Sequence, residues 1–267
     1  MRALRSVALV AVACFCVGPF VWQLVASLRP EGEVANLSLP RTLSLDHYRV
    51  VLVERPFARA LMSSALVASA TTMLAVGFGT SAAFALARLR LRWRRLILAL
   101  ALWASMFPPI AIVSPLYIVI RAVGLRDELA GLVLPYVGFA LPLAIWVMTD
   151  YFAAIPRELY LAARIDGCTP WQAFTKVTLP LAKPGIITTG LLVFVQAWNE
   201  LLFALTFTSS PEKRTVPVAI ALFAAEHREP WGEIAAASVV ATLPLVLATL
   251  VFQKRVVAGL TAGAVKG

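Results

Sequence analysis

Long apolar runs alternate with short polar segments along the whole chain. Each run can cross a hydrocarbon core of ~30 Å as a helix, which takes roughly 20 residues. Lipid offers no hydrogen-bond partner to a bare backbone, so helices are the expected structure of these runs. The runs are residues 7–28, 61–87, 96–120, 129–149, 186–207 and 234–253. The pattern therefore predicts an all-α polytopic membrane protein, with six transmembrane helices in a single domain that covers residues 1–267.

The polar segments predict how these spans are joined. Only residues 88–95 separate the second and third runs, which predicts a tight helical hairpin. Residues 29–60, 121–128 and 208–233 are expected to be loops on the other side of the membrane. The first of these loops is long enough for a small amphipathic element. Residues 150–185 form a longer polar segment on the same side as residues 88–95.

Prolines interrupt the third, fourth and sixth runs. Each proline removes a backbone donor and tends to kink its helix. Such kinks supply hinges or line a cavity in a transporter, but proline is also simply commoner in membrane helices. The sequence leaves both interpretations open. The prolines concerned are Pro108, Pro109, Pro115, Pro135, Pro142 and Pro244.

Composition and charge agree with a membrane protein. Hydrophobic residues make up 60% of the chain and charged residues 14%, against about 25% charged in soluble domains. The formal net charge of +10 comes from Lys and Arg at the two termini and in residues 88–95 and 150–185, whereas acids and bases balance in the other polar segments. Under the positive-inside rule, both termini are therefore expected to be cytoplasmic. Topology accounts for the charge, and we expect no nucleic-acid partner.

The first run resembles a signal peptide in some respects. Arg2 and Arg5 precede it as a basic region would, and residues 11–14 weakly resemble a lipoprotein cleavage box. The run is too long for the apolar core of a signal peptide, and cleavage at that box would remove half a span. We therefore expect an uncleaved first helix.

The cysteines and histidines predict neither a disulfide nor a metal site. Cys14 and Cys16 lie in the first run, and Cys168 lies in the polar segment 150–185, which is expected to be cytoplasmic. None of them therefore has a plausible disulfide partner across the membrane. His47 and His227 are far apart on the outer side, without the spacing of metal ligands. We expect two solvated histidines and no cofactor bound by this chain.

The inner segment 150–185 predicts two short helices joined by a sharp turn. Pro156 suits the first turn of a helix, because its missing N–H would be unpaired there anyway. Glu158 early in that helix favours the helix dipole. Residues 159–165 contain no Gly or Pro, and Gly167 stands where a left-handed residue often ends a helix. A helix over these residues, ending at Gly167, is therefore expected.

A second helix is predicted to start directly afterwards. Thr169 is a suitable N-cap, Pro170 the first helical residue, and Gln172 completes a T-x-x-Q capping box. The Leu179-Pro180 pair is expected to end the helix. Three apolar residues at helical spacing form its expected buried stripe: Trp171, Phe174 and Val177.

This inner segment resembles the EAA loop of ABC-importer permeases, in the carbohydrate-type form P-x-E-L-x-x-A-A-x-x-D-G, followed by an aromatic residue and L-P-x-x-x-P. Residues 197–200 and 257–267 also resemble this family, the latter its maltose/trehalose-type second permease. The resemblance implies the type I ABC importer permease fold. The chain departs from the family at Leu161, where the glutamate that gives the motif its name is usual, and at Tyr160, where an acid is usual. Any salt bridge made by that glutamate is therefore not expected here.

The resemblance also implies the function and its partners. A coupling helix, roughly residues 169–176, would sit in a cleft of an ATP-hydrolysing subunit. Because the chain has no G-x-x-x-x-G-K-[ST] phosphate loop, ATP and Mg would be bound by that separate ATPase, a homodimer or heterodimer. The coupling residues implied are Glu158, Ala162, Ala163, Asp166, Gly167, Thr169, Pro170, Trp171, Phe174 and Pro180.

The remaining expectations follow from the same resemblance. This chain would work in the bacterial inner (plasma) membrane, in contact with lipid, beside a second, non-identical permease subunit. An extracytoplasmic solute-binding protein would deliver the substrate, a sugar and more specifically a di- or oligosaccharide. The chain itself would be a transport subunit and not an enzyme.

A cluster of polar and aromatic residues in the fifth run is a candidate for the substrate path. Glu200 is the only acidic residue well inside a run, and ionisable groups there indicate function by default. Trp198 could stack on a sugar ring, while Gln196, Asn199 and Glu200 could hydrogen-bond hydroxyl groups. Alternatively, Asn199 and Glu200 hold one helix to another or to the partner permease.

Other function classes fit the sequence less well. An intramembrane enzyme needs paired catalytic groups inside the spans, and Glu200 stands alone. A secondary transporter usually shows inverted repeats, and none is visible. The alternative that stays open is an ABC permease for another solute, such as glycerol 3-phosphate, although no run carries an interior arginine.

Overall fold

The computed structural model describes residues 2–30, 33, 40, 42–89, 91–223 and 230–264, with side chains from residue 5 to residue 253. All regular elements of these residues are helical. In chain order the α-helices are α1 (Arg2–Ser27), α2 (Asp46–Arg49), α3 (Phe57–Arg88), α4 (Arg94–Ser105), α5 (Pro109–Ala122), α6 (Leu129–Ala154), α7 (Arg157–Ile165), α8 (Pro170–Ala173), α9 (Leu179–Leu181), α10 (Lys183–Trp198), α11 (Leu202–Phe207), α12 (Val216–Phe223) and α13 (Trp231–Ala264). Wider π-helical turns cover Val50–Glu54 and Phe174–Thr178, and a 3₁₀ turn covers Pro211–Lys213.

Four of the predicted spans are single helices. The helices α1, α3, α6 and α13 are each long and apolar enough to cross a membrane. Pro135 and Pro142 lie inside α6, and Pro244 inside α13, without ending either helix. The predicted first, second, fourth and sixth spans are therefore confirmed as helices.

The third span is not the single helix that the apolar run 96–120 predicts. It consists of α4 and α5, which meet at an angle of 90°. The break falls at residues 106–108, because Pro108 and Pro109 follow one another and cannot donate the backbone hydrogen bonds of a continuing helix. Of the two interpretations of the prolines, the hinge or cavity-lining one fits this pair.

The fifth span is broken as well, so its prediction as one helix over residues 186–207 is wrong. The helix α10 ends at Trp198, residues 199–201 are not helical, and α11 continues the run. No proline causes this break. The polar side chains of Asn199 and Glu200 instead bond to backbone groups of the adjoining helices. At its other end, α10 meets the inner helical segment at 77°.

The packing differs from the predicted hairpin of the second and third spans. Within the described residues, α4 packs on α6 and not along α3. The helices α3, α6 and α10 pack closely on one another and form the centre of the bundle. The first helix α1 packs on α13 and buries almost none of its apolar surface within the chain.

The outer turn between α5 and α6 is fastened to the segment that follows α11. Asp127, at φ +60°, accepts hydrogen bonds from the backbone N–H of Ser209 (2.7 Å) and Ser210 (3.0 Å) and from the Ser210 hydroxyl. Next to it, Lys213 Nζ lies 2.6 Å from Glu128 Oε2. These contacts join the outer ends of the third and fifth spans.

The outer segment before α3 does contain a short helical element, α2 with its π-helical turn. Within it, the expectation of a solvated His47 is wrong, because only 7% of this residue is exposed. Its ring packs so closely on Gly232 that an added Cβ there would lie 2.1 Å from Nε2. His227 lies outside the described residues. Cys14, Cys16 and Cys168 are free thiols.

Candidate functional site

The inner loop folds into the two helices that its sequence predicts. The first is α7, and Gly167 follows it with φ +88°, a conformation that L side chains rarely adopt. The Thr169 hydroxyl then accepts from the Gln172 N–H (3.2 Å), and the Gln172 side chain accepts from the Thr169 N–H (2.8 Å). This reciprocal pair is the predicted capping box. A glycine turn followed by a capping box fixes the angle between the two helices.

The second helix of the loop is longer than the sequence predicts. It continues from α8 through the π-helical turn Phe174–Thr178 into α9, and it ends at Ala182. The prediction that Leu179-Pro180 ends the helix is wrong, because the chain stays helical through Pro180, directly after the π-helical turn, as far as Leu181. The bend of 77° at Ala182 then leads into α10.

An aromatic cluster anchors the loop to the membrane helices. The ring of Phe174 lies 4.6 Å from that of Phe84 on α3 and 6.3 Å from that of Phe152 on α6, measured between centroids. Tyr160 on α7 adds an edge contact to Phe84 at 5.8 Å. The loop is therefore packed directly against the neighbouring ends of α3 and α6.

The expected apolar stripe of the second helix is only partly buried. Phe174 is 4% exposed and Val177 packs on the same cluster, but Trp171 is 65% exposed. Its ring still touches that of Phe174 at 5.3 Å. Trp171 therefore belongs to the free surface of the loop and not to its anchor.

The ten implied coupling residues divide into two groups. Ala163 and Phe174 are buried and anchor the loop. The others are exposed on its free surface: Glu158, Ala162, Asp166, Gly167, Thr169, Pro170, Trp171 and Pro180. Leu161, which replaces the usual glutamate, is 45% exposed on the same loop and Ile165 is 85% exposed. The loop thus presents apolar side chains on the face that the aromatic cluster leaves free.

Sequence reasoning missed the role of Arg88. In the sequence it stands out only as part of the basic turn 88–95, whose charge predicts the orientation of the chain. In the structure it is 6% exposed, and its Nη2 donates to the carbonyl oxygens of Phe152 and Ile155, both at 2.6 Å. These carbonyls lie at the end of α6, where the last carbonyl groups lack their usual helical donors; that of Phe152 also accepts from the Ile155 N–H at 3.3 Å. Arg88 therefore ties the inner end of α3 to the inner end of α6.

A cavity of about 410 Å³ lies where the two broken spans meet. The start of α5 contributes Pro109 and Ile110 to its lining, and α6 contributes Tyr136 and Phe139. Residues of the α10–α11 break close the remaining side. Such irregular backbone at membrane depth is tolerated where it lines a cavity, and broken helices often form transport sites.

The structure brings three of the four candidate path residues to this cavity. Gln196, Asn199 and Glu200 line it, whereas Trp198 does not. Trp198 is 4% exposed and its ring stacks on that of Phe194 at 5.6 Å, so it is part of the core in this conformation.

Glu200 is held by the helix that follows it. Its Oε1 accepts from the Phe203 N–H at 2.9 Å and its Oε2 from the Ala204 N–H at 3.2 Å. Asn199 similarly donates to the Val195 carbonyl at 2.8 Å and closes the end of α10. Both side chains therefore stabilise the break itself, within one span, as well as lining the cavity.

Tyr136 is a candidate residue that the sequence did not single out. It lines the cavity from α6 and is 4% exposed. Its hydroxyl is buried without a hydrogen bond of normal geometry among the described residues, although a buried hydroxyl usually has one. No local pattern marks this residue, because only the tertiary fold places it opposite the break in the fifth span.

The fold and the site define a class: a helical membrane permease with an exposed two-helix loop between its fourth and fifth spans and a cavity between broken spans. The family described as binding-protein-dependent transport system inner membrane component matches residues 75–261, and the chain belongs to this family.

Individual relatives cover nearly the whole chain. The trehalose transport system permease protein SugB of Mycobacterium tuberculosis is 46% identical over 93% of this chain and 92% of its own length. The trehalose/maltose transport system permease protein MalG of Thermococcus litoralis is 40% identical over 100% and 97%. A chain of the crystal structure of a bacterial ABC transporter that imports the acidic polysaccharide alginate matches with a TM-score of 0.77 and 25% identity, over 94% of this chain and 95% of that one.

Proposed function

We propose that this chain is one of two non-identical permease subunits of an ABC importer that carries a di- or oligosaccharide into the bacterial cytoplasm. The observation that carries the proposal is the inner loop: it is anchored to α3 and α6 by aromatic side chains and exposes apolar residues on its free face. The trehalose and maltose relatives support a sugar as substrate.

A separate ATPase dimer docks on the free face of the loop. Leu161, Ile165 and Trp171 offer this ATPase apolar contacts. ATP and its Mg are bound by the ATPase dimer. Closure of the ATPase pair pushes the loop, the aromatic cluster passes the displacement to α3 and α6, and α6 carries it towards the cavity. The chain couples to ATP hydrolysis without performing it.

Two further partners complete the importer. A solute-binding protein delivers the sugar from outside, as a structure of the alginate transporter with its pentasaccharide-bound periplasmic protein supports by analogy of fold. The second permease faces this chain across the translocation path. The apolar surface of α1, which packs mainly on α13, is largely exposed and is available to that subunit or to lipid.

The test is ATP-driven uptake by the complete complex in proteoliposomes. Trehalose, maltose and glycerol 3-phosphate are offered with the solute-binding protein of the system, and both uptake and ATP hydrolysis are measured. We expect a sugar to stimulate both activities, with no uptake when the ATPase subunit is omitted. Uptake of glycerol 3-phosphate and of neither sugar would contradict the proposal, as would uptake that does not need the ATPase.

A further inference from the structure

We infer that the cavity between the broken spans selects an uncharged sugar against an anionic one, with the Tyr136 hydroxyl as a hydrogen-bonding group for the substrate and Glu200 as the group that excludes negative charge. The inference rests on the proposed function, because it concerns the substrate of the same permease. ABC importers of this fold include one for an acidic polysaccharide. The fold alone therefore does not decide the charge of the substrate.

The Tyr136 hydroxyl is the polar group that α6 contributes to this cavity wall. Its ring is packed in the core that α6 shares with its neighbours, so the hydroxyl is held in place. It lies within side-chain hydrogen-bonding range of Glu200, whose two oxygens also accept backbone N–H groups of α11, but it forms no bond of normal geometry among the described residues. A buried donor without a bond costs free energy. A sugar hydroxyl in the cavity would supply the missing partner.

Glu200 sets the charge of the cavity. It is the one ionisable carboxyl group in the lining, and no Lys, Arg or His lies among the lining residues. Its two hydrogen bonds to α11 hold the carboxyl group in the cavity lining. An anionic ligand would meet this carboxylate in a site of low dielectric constant, where like charges repel strongly. The remaining polar lining, the amides of Gln196 and Asn199, suits hydroxyl groups and carries no charge.

The experiment measures ligand binding to the complete complex in lipid nanodiscs, trapped with ATP and vanadate and without solute-binding protein. Omitting that protein removes its own selection of the substrate. The probes are radiolabelled trehalose and maltose, and the forms of both in which one CH₂OH group is oxidised to a carboxylate. Each pair differs in charge at nearly constant size. Uptake of the same sugars by the full system with its binding protein is measured in parallel.

Two variants are each compared with a matched control. Tyr136→Phe removes one hydroxyl, and Tyr117→Phe removes another from α5, where the ring packs on Phe207 away from the cavity. Glu200→Gln removes one negative charge, and Glu212→Gln removes another from the exposed outer turn. Assembly and ATP hydrolysis of every variant are checked before binding is compared.

We expect the wild-type complex to bind a neutral sugar at least about tenfold more tightly than its acid form. Tyr136→Phe should weaken neutral binding about five- to tenfold, the effect of one hydrogen bond. Glu200→Gln should reduce the preference for the neutral form at least about threefold. Both controls should match wild type.

Equal binding of neutral and acid forms, or a Tyr136→Phe variant with wild-type affinity, would overturn the inference while sugar uptake still supports the proposed function. If the wild-type system imports no sugar at all, the proposed function fails and the inference falls with it. If the Glu200→Gln complex does not assemble, the charge preference of the wild type and the affinity of the Tyr136→Phe variant still decide whether the inference holds.

Discussion

The backbone torsion φ of Gly167 sets the angle between the two helices of the inner loop. An added Cβ would meet no atom within 4 Å, so its φ of +88° and not space makes glycine necessary. We expect Gly167→Ala to cost roughly 1–2 kcal/mol of strain. The second helix of the loop should then move away from the aromatic cluster on which it packs. Sugar uptake per ATP hydrolysed should fall severalfold in proteoliposomes, while membrane insertion stays normal.

The matched control is Gly77→Ala in α3. Gly77 also has no atom within 4 Å of an added Cβ, but its backbone is ordinary helix. This variant should keep the wild-type ratio of uptake to hydrolysis. A wild-type ratio of uptake to ATP hydrolysis in Gly167→Ala would show that the Gly167 turn plays no part in coupling.

Asp127 gives a second prediction at the level of one residue, and it concerns pH. Hydrogen bonds from Ser209 and then Ser210 lower the pKa of its carboxyl group below the usual value of 3.8. A lowered folded-state pKa stabilises the protein above the unfolded pKa, and this stabilisation is lost as pH falls through the folded pKa. We expect Asp127→Asn to lower the thermal unfolding midpoint by about 2–4 °C at neutral pH.

The difference between wild type and Asp127→Asn should be constant from pH 7 to roughly pH 5 and shrink below pH 4. Unfolding midpoints of the detergent-solubilised protein at a series of pH values measure it. Glu212→Gln, an exposed acid of the neighbouring turn, is the control and should show no such trend. A difference that grows on acidification would contradict the proposed stabilising role of the Asp127 hydrogen bonds.

At the scale of elements, Arg88 joins two helices that the sequence gives no reason to connect. Replacing it by Met removes the guanidinium donor from the carbonyls of Phe152 and Ile155, and leaves that of Phe152 with its bond from the Ile155 N–H. Hydrogen bonds from a charged group contribute about 1.5–3 kcal/mol each. We expect Arg88→Met to lower the thermal midpoint and to reduce uptake more than ATP hydrolysis, because the loop would move α3 and α6 less tightly together.

Arg92→Met is the matched control, since Arg92 is exposed in the same basic turn. It removes the same charge without breaking these bonds, and it should behave like wild type. Equal losses in both variants would show that the charge of the turn matters and the link between α3 and α6 does not.

The loop and the cavity differ in how far the sequence predicts them, and the reason is the range of the interactions. The Gly167 turn and the Thr169–Gln172 capping box are local, so the types of neighbouring residues suffice. The link from Arg88 to α6 and the place of Tyr136 join residues more than 60 positions apart. Apolar runs likewise predict membrane crossing by composition, but they do not show where a span breaks.

At the scale of the whole molecule, the orientation in the membrane rests on charge alone. The basic excess lies on the docking-loop side of the chain, which predicts that the loop and both termini are cytoplasmic. Single reporter cysteines can test this orientation in a variant in which Cys14, Cys16 and Cys168 are replaced by Ala. The reporters are Thr42→Cys and Arg92→Cys. Both residues are exposed, and they are expected on opposite sides of the membrane.

A membrane-impermeant maleimide should label Thr42→Cys in intact spheroplasts and Arg92→Cys only in inverted vesicles. The Arg92→Cys change removes one of several basic residues from its turn, so the charge bias that sets the orientation persists. The reverse labelling pattern would place the docking loop outside, away from any cytoplasmic ATPase. The charge argument and the coupling proposal would then fail together, since an ATP-driven partner can reach Leu161 and Trp171 only from the cytoplasm.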